Sequence, residues 1–141
     1  MIKYRTTFTV DAADTDANNI MNYAKYLDWF EATRTELMRK LGLPFDKLEA
    51  EEGLIMPIIK ISVSYTAGAK AGQELHCVTE IRDILHNRFE FFYSIRLDED
   101  KESEIVAGKT RHIFASTGGK TTKLPPEMES VIRDHWGTTF E

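Results

Sequence analysis

The sequence predicts an α+β fold in which one long helix lies across a mostly antiparallel β-sheet. Apolar residues recur with helical spacing over one long stretch, residues 23–41. Alternating apolar and polar residues mark one segment before this stretch and several after it, and the later segments are joined by short turns. Strands joined in this way pair antiparallel, and one sheet with one apolar helix shares a single core. We therefore expect one domain over residues 1–141.

The first segment alternates in polarity and is followed by a polar loop. One of its faces carries Tyr4, Thr6, Phe8 and Val10, which is the period of a half-buried strand. Residues 11–22, DAADTDANNIMN, are rich in Asp, Asn and Ala and end the alternation. Such residues favour turns, so we expect a loop there.

The stretch 23–41 is the clearest element of the chain. Asn22 is the predicted N-cap, and Gly42, followed by Pro44, is the predicted stop. At the helical period one stripe contains the apolar residues Tyr26, Leu27, Phe30, Leu37, Met38 and Leu41.

Two residues of the predicted helix break this pattern. Arg34 points into the apolar stripe, where Asp11 or Asp14 would be a suitable partner for its charge. Trp29 points away from the stripe, which suggests that a second surface, such as another subunit, covers it.

Alternation returns after the helix and ends in a short helical tail. The predicted strands lie around 61–66, 75–81, 89–97 and 105–115, with a turn at 67–72 and a charged hairpin connection at 98–104. The second face and the edges of such a sheet need cover, so we expect a homodimer or homotetramer.

Composition excludes several classes of function. The net charge of −5 argues against a nucleic-acid partner, because nucleic-acid binding depends on neutralising phosphates. The chain has neither the apolar segment of a signal peptide nor a run approaching the roughly 20 apolar residues of a membrane span. The single cysteine, Cys77, fits a reducing compartment. We expect a cytoplasmic protein.

The loop before the long helix holds the candidate catalytic group. Asp14 and Asp16 lie in this loop, and Asp16 precedes Tyr23 by seven residues. Asn18 and Asn19 tolerate left-handed backbone and can fold the loop back, which would place the Asp16 carboxylate over the helix N-terminus. The first N–H groups of a helix lack intrahelical partners and carry positive potential, so they polarise a carbonyl oxygen placed on them. A carboxylate beside such groups can promote attack on an ester or thioester.

Other chemistries find no support. The segment GGKT at 118–121 lacks the glycine that P-loop spacing requires, since Phe114 stands there. The four histidines show no metal-ligand spacing, and no G-x-S-x-G motif occurs. We expect neither a metal nor a cofactor.

Residues 13–43, ADTDANNIMNYAKYLDWFEATRTELMRKLGL, resemble the signature region of the 4-hydroxybenzoyl-CoA thioesterase family of hotdog proteins. The matching positions are Asp14, Asp16, Tyr23, Tyr26, Phe30, Glu31 and Arg34. A looser similarity extends through 56–75, 89–97 and 124–128. The resemblance implies a hotdog fold, in which the sheet wraps one long central helix, and hydrolysis of an acyl-CoA or acyl-carrier-protein thioester.

The resemblance also implies residue roles. Asp16 matches the family's catalytic Asp, as general base or as nucleophile, and Tyr23 matches the position whose backbone N–H polarises the thioester carbonyl. The chain departs from the family where Asn19 replaces Gly, where Asn22 replaces an aromatic residue and where Lys25 replaces Asn. The candidate substrate contacts are Asn22, Lys25 and Arg88.

Two alternatives stay open. Hotdog hydratases and dehydratases carry a different motif, with a catalytic His near the helix start. This chain has no His between residues 1 and 75, which counts against that alternative. A non-catalytic acyl-binding oligomer is the other alternative, against which the retained Asp16 counts.

Overall fold

The structure, a computed structural model, describes residues 1–141. Its helices and strands are, in chain order, β1 (Ile2–Thr9), α1 (Tyr23–Lys40), α2 (Phe45–Glu52), β2 (Leu54–Ile55), β3 (Ile58–Tyr65), β4 (Glu74–Ile81), β5 (Phe89–Leu97), β6 (Asp100–His112), β7 (Phe114–Ser116), β8 (Thr121–Thr122), α3 (Pro126–Asp134) and β9 (Thr139–Phe140).

Six strands form the main sheet, in the order β3-β6-β5-β4-β1-β9. Every neighbouring pair is antiparallel except β1 and β9, which are parallel. A small second sheet has the order β2-β7-β8. The predicted α+β fold, with one long helix on a mostly antiparallel sheet, is confirmed.

Helix α1 packs on the sheet through aromatic rings. Phe30 stacks on Tyr93 of β5, with ring centroids 4.2 Å apart and an interplanar angle of 17°. This approach requires a glycine at position 108 of β6, because a Cβ there would lie 2.5 Å from the Phe30 ring. Leu37 is fully buried on the same face, about two turns further along the helix. Both residues therefore occupy their predicted places in the core.

Two predictions about the faces of α1 need correction. A second surface does cover Trp29, but it belongs to the same chain and not to another subunit, because the Trp29 ring stacks on Phe8 of β1 at 4.5 Å. Leu27 is 36% exposed. The common cause is that α1 contacts β1 and β4 and leans toward them. The buried face is thereby turned toward Trp29, and strand β3 is left largely uncovered.

The ends of the elements were predicted less well than their existence. Helix α1 ends at Lys40, and Gly42 follows with φ +77°, as the predicted stop requires. The hairpin between β5 and β6 is shorter than predicted, because β6 already begins at Asp100. Helix α2 and the parallel strand β9 were not predicted, whereas the predicted helical tail is α3.

None of the helices is long and apolar enough to cross a membrane.

Candidate active site

The loop from Asp14 to Asn22 is a tight hairpin that holds the Asp16 side chain. The Asp16 N–H donates to the Ile20 carbonyl at 2.8 Å, and Asn19 at the tip has φ 61°, the left-handed backbone predicted for it. The carboxylate oxygen Oδ1 of Asp16 accepts from the N–H of Asn18 at 2.8 Å and of Ile20 at 3.1 Å. Its other oxygen, Oδ2, has no hydrogen-bond partner, and the residue is exposed. One oxygen is thus anchored, and the other is open for chemistry.

The turn between β3 and β4 supports this loop from outside. The Met21 N–H donates to the Ala69 carbonyl at 2.8 Å, and Ile20 pairs with Lys70. Close contact requires Gly68, because a Cβ there would lie 2.8 Å from Cγ2 of Ile20. The turn AGAKAG therefore reverses the chain and also contacts and supports the loop that carries Asp16.

The N-terminus of α1 follows this loop directly and is uncapped. Asn22 occupies the N-cap position, but its side chain makes no capping hydrogen bond, so the predicted capping role is wrong. Its backbone N–H instead donates to the Asp14 carbonyl at 2.8 Å. The N–H groups of Tyr23 and Ala24 donate to no group in the chain. Two backbone donors therefore stand open at the positive end of the helix dipole.

Asp14 forms an ion pair with Lys25, with Oδ2 and Nζ 3.6 Å apart. The predicted pairing of Arg34 with Asp11 or Asp14 is therefore wrong. Lys25 lies in the first turn of α1, level with the loop, whereas Arg34 lies eleven residues beyond Tyr23, about 16 Å along the helix axis. The two carboxylates of the Asp14-Thr15-Asp16 motif thus differ in environment, because only Asp14 has a cationic side chain as its partner.

Arg34 instead faces a chain of buried polar groups between α1 and the sheet. The Tyr93 hydroxyl lies 2.7 Å from Oγ1 of Thr110, which lies 3.0 Å from Nε2 of His112. Nδ1 of His112 donates to the Met56 carbonyl at 2.8 Å. Burial, together with the Arg34 charge, lowers the pKa of His112 to about 4, so the imidazole is neutral at pH 7. We assign this cluster to structure, because it links α1 to β5 and β6 away from Asp16.

Tyr65 is a site residue that the sequence did not reveal. It lies at the end of β3, and its ring packs against Tyr23 at 4.6 Å and against Tyr26 at 5.6 Å. Its hydroxyl donates to the Tyr23 carbonyl at 3.3 Å. In the sequence Tyr65 is one of several apolar residues in an alternating strand, and nothing local distinguishes it.

Arg88 lies at the far end of the sheet from this site. It directly precedes β5, whereas Tyr65 is level with Ile95 of that strand, since both pair with Val106. Seven residues of extended strand separate the two levels, about 23 Å. Nε of Arg88 lies 3.7 Å from Glu90, which also binds Lys109 and Arg111. Within one chain, Asp16, Asn22, Tyr23 and Lys25 are therefore together and Arg88 is not.

Known proteins share this architecture. The sequence model of the Thioesterase-like superfamily matches residues 10–132. YneP of Bacillus subtilis, a candidate acyl-CoA thioesterase, is 27% identical over 129 residues, which are 92% of this chain and 88% of YneP.

Solved structures agree in fold at lower identity. The DHNA-CoA thioesterase of Staphylococcus aureus superposes with a TM-score of 0.83 and 22% identity, over 95% of this chain and 91% of that one. A 4-hydroxybenzoyl CoA thioesterase mutant, with Asp replaced by Asn and 4-hydroxybenzoyl CoA bound, has a TM-score of 0.81 and 18% identity, over 92% and 97% of the two chains. The predicted hotdog fold is confirmed, and the chain belongs to the Thioesterase-like superfamily.

Proposed function

We propose that this protein hydrolyses an acyl-CoA thioester to the free acid and CoA. The observation that carries the proposal is that Asp16, whose Oδ2 is open, lies in the hairpin loop that leads directly into the start of α1, where the N–H groups of Tyr23 and Ala24 are unpaired. The first supplies a base or nucleophile, and the second supplies donors for a developing oxyanion. The names of the relatives agree with the predicted class, thioester hydrolase.

The reaction can be written on these groups. The thioester carbonyl oxygen accepts hydrogen bonds from the N–H of Tyr23 and Ala24, which makes the carbonyl carbon more electrophilic. Oδ2 of Asp16 then either removes a proton from the attacking water or attacks the carbon itself, forming an anhydride that water hydrolyses. In both routes the C–S bond breaks, and the CoA thiolate leaves and is protonated.

Asn22 and Lys25 are the proposed substrate contacts beside these groups. The Asn22 amide is not used as a cap, so it can hydrogen-bond the substrate. The Lys25 side chain is 31% exposed, and its pair with Asp14 leaves ammonium hydrogens free for a second acceptor.

Strand β3 supports a proposal about assembly. Eight large hydrophobic residues are exposed, and six of them lie on β3 and the neighbouring side of α1: Tyr23, Leu27, Ile58, Ile59, Ile61 and Tyr65. β3 is also an edge of the sheet, with unpaired backbone groups. We propose that two copies pair antiparallel through β3, because this covers the apolar patch and satisfies the edge.

This assembly would complete the site. Arg88 lies level with Ile58, since Phe89 and Ile58 both pair with His112. In a two-fold antiparallel pair, the Ile58 end of one β3 lies beside the Tyr65 end of the other. Arg88 of the partner subunit would then lie at the same end of the dimer as Asp16 and Tyr23, where it could contact the CoA phosphates.

Asp16→Asn tests the catalytic proposal. The change keeps the shape of the side chain and removes the base or nucleophile, so turnover should fall by about 10²–10⁴-fold with little change in Tm. Tyr23→Phe should have a mild effect, because the proposed role of Tyr23 belongs to its backbone. The measurement is release of free thiol from a panel of acyl-CoA thioesters, with hydration of an enoyl-CoA assayed in parallel. Near wild-type turnover for Asp16→Asn would remove the assignment, and substrate binding without thiol release would favour the acyl-binding alternative.

A further inference from the structure

Strand β3 reaches the first turn of α1 through one hydrogen bond. The Tyr65 hydroxyl donates to the Tyr23 carbonyl oxygen at 3.3 Å, although the two residues are 42 positions apart. A helical carbonyl oxygen accepts one N–H from four residues ahead and keeps a second lone pair for such a bond. Because the carbonyl can only accept, Tyr65 must be the donor. A tyrosine phenol is protonated at neutral pH, and partial burial beside Tyr23 raises the pKa of Tyr65 further.

The orientation of Tyr65 is held by its neighbours. Its ring packs at 5.6 Å against Tyr26, which is fully buried and therefore forms a fixed platform. The Tyr65 ring also packs at 4.6 Å against the ring of Tyr23. The hydroxyl therefore reaches the helix from a ring whose position is set by packing.

The bonded carbonyl belongs to the same peptide unit as the Ala24 N–H, one of the two unpaired donors at the helix start. A hydrogen bond to a peptide oxygen draws electron density from the unit and makes its N–H a stronger donor, by about 10–30% per bond. The same bond restrains rotation of the peptide plane, which keeps the N–H aimed out of the helix end.

We propose that Tyr65 is a positioning residue for thioester hydrolysis, which orients and polarises the Tyr23–Ala24 peptide so that its N–H stabilises the oxyanion. The inference rests on the proposed function, because it assigns Tyr65 a role only if that N–H binds the thioester oxygen. Tyr65 does not touch the substrate in this role. It acts through the peptide unit, so its effect falls on the transition state, where charge on the oxygen is greatest.

Tyr65→Phe is the test, because it keeps the ring and removes only the hydroxyl. We expect kcat on the best acyl-CoA to fall by about 3- to 10-fold, the size of one modest hydrogen bond, while KM stays within about twofold, as for an interaction made in the transition state. Tm and the sedimentation coefficient should match wild type. Tyr4→Phe is the matched control, since it makes the same change on β1, away from the loop and the helix start.

The outcomes separate this inference from the function on which it rests. Unchanged kcat in Tyr65→Phe, with Asp16→Asn inactive, would overturn the role of Tyr65 and leave the proposed function standing. A rise in KM without loss of kcat would also overturn it, because the hydroxyl would then serve binding. Full activity of Asp16→Asn would instead remove the proposed function itself, whatever Tyr65→Phe does.

Discussion

Asp14 and Asp16 lie two positions apart in one loop, yet their different surroundings suit them to different roles. Asp14 pairs with Lys25, and its backbone carbonyl holds the Asn22 N–H. Asp16 has one oxygen tied to the backbone and the other open. A carboxylate with a cation partner is stabilised in place, whereas an open one is available to a substrate. The contacts therefore divide the two residues into an anchor and a reactive group.

Variants of Lys25 and Asp14 test this division of roles between the two aspartates. Lys25→Met and Asp14→Asn should each lower stability by less than about 1 kcal/mol, because both partners are about one-third exposed and water screens the pair. The double variant should lose no more stability than either single variant, as a thermodynamic cycle of melting curves would show. Only Lys25→Met should raise KM, since the substrate contact is proposed for Lys25 alone. Equal KM values in the two single variants would contradict a substrate contact for Lys25 and leave it only the ion pair that holds the loop.

The loop, the β3–β4 turn and the start of α1 form one unit at the level of elements. The turn contacts the loop through Ala69 and Lys70, and the loop delivers the chain into the helix. The position of the Asp16 loop therefore depends on how closely the turn approaches it. Gly68 sets that approach, since its missing side chain leaves room for Ile20.

Gly68→Ala should therefore damage activity more than stability. The new methyl group would lie 2.8 Å from Ile20 and push the Asp16 loop outward. A displacement near 1 Å can cost on the order of 10²-fold in rate, so we expect turnover to fall by about 10- to 100-fold. Overpacking at this site should cost about 1 kcal/mol of stability.

Gly118→Ala is the matched control for this change. A Cβ at position 118 would lie 3.7 Å from Oγ of Ser116, an ordinary contact, so activity should be unchanged. Turnover of each variant would be compared with its Tm. If Gly68→Ala kept wild-type turnover, the turn could not be setting the position of Asp16.

Two surfaces of the whole molecule differ in character. The outer face of the main sheet is charged, whereas the edge at β3 is apolar and uncovered. On the outer face Glu90 binds Lys109 and Arg111, whose charges lower its pKa although burial opposes them. The edge at β3 exposes Ile59 and Ile61 instead. Self-association is thus expected at the edge rather than at the outer face, which needs no apolar cover.

Subunit complementation tests the proposed dimer and the site across it. Asp16→Asn and Arg88→Ala subunits, coexpressed, should form heterodimers with one intact site, built from Asp16 of one chain and Arg88 of the other. Random pairing makes half of the dimers heterodimers, so about a quarter of wild-type site activity should return at low substrate concentration. Coexpression of Asp16→Asn with the double variant is the control, because it can form no intact site. Recovery no greater than the sum of the separate variants, or a 16.2 kDa species alone in sedimentation at micromolar concentration, would contradict the assembly.

Local patterns were enough for the long helix, for the main antiparallel strands and for the chemistry of the loop. The helical period of residues 23–41, the stop at Gly42 and the left-handed backbone of Asn19 all follow from preferences of neighbouring residues. The α+β arrangement follows from the order of these elements. The motif around Asp16 placed the candidate carboxylate before the helix start because loop and helix are consecutive in the chain.

The partners of individual side chains depended on tertiary structure. The lean of α1 toward β1 buried Trp29 and left Leu27 exposed, and the register of β3 brought Tyr65 to the Tyr23 carbonyl. The length of β5 set Arg88 far from Asp16. These facts are distances between elements remote in sequence. Periodicity reports which face of an element is apolar, but it carries no information on the neighbour that this face will meet.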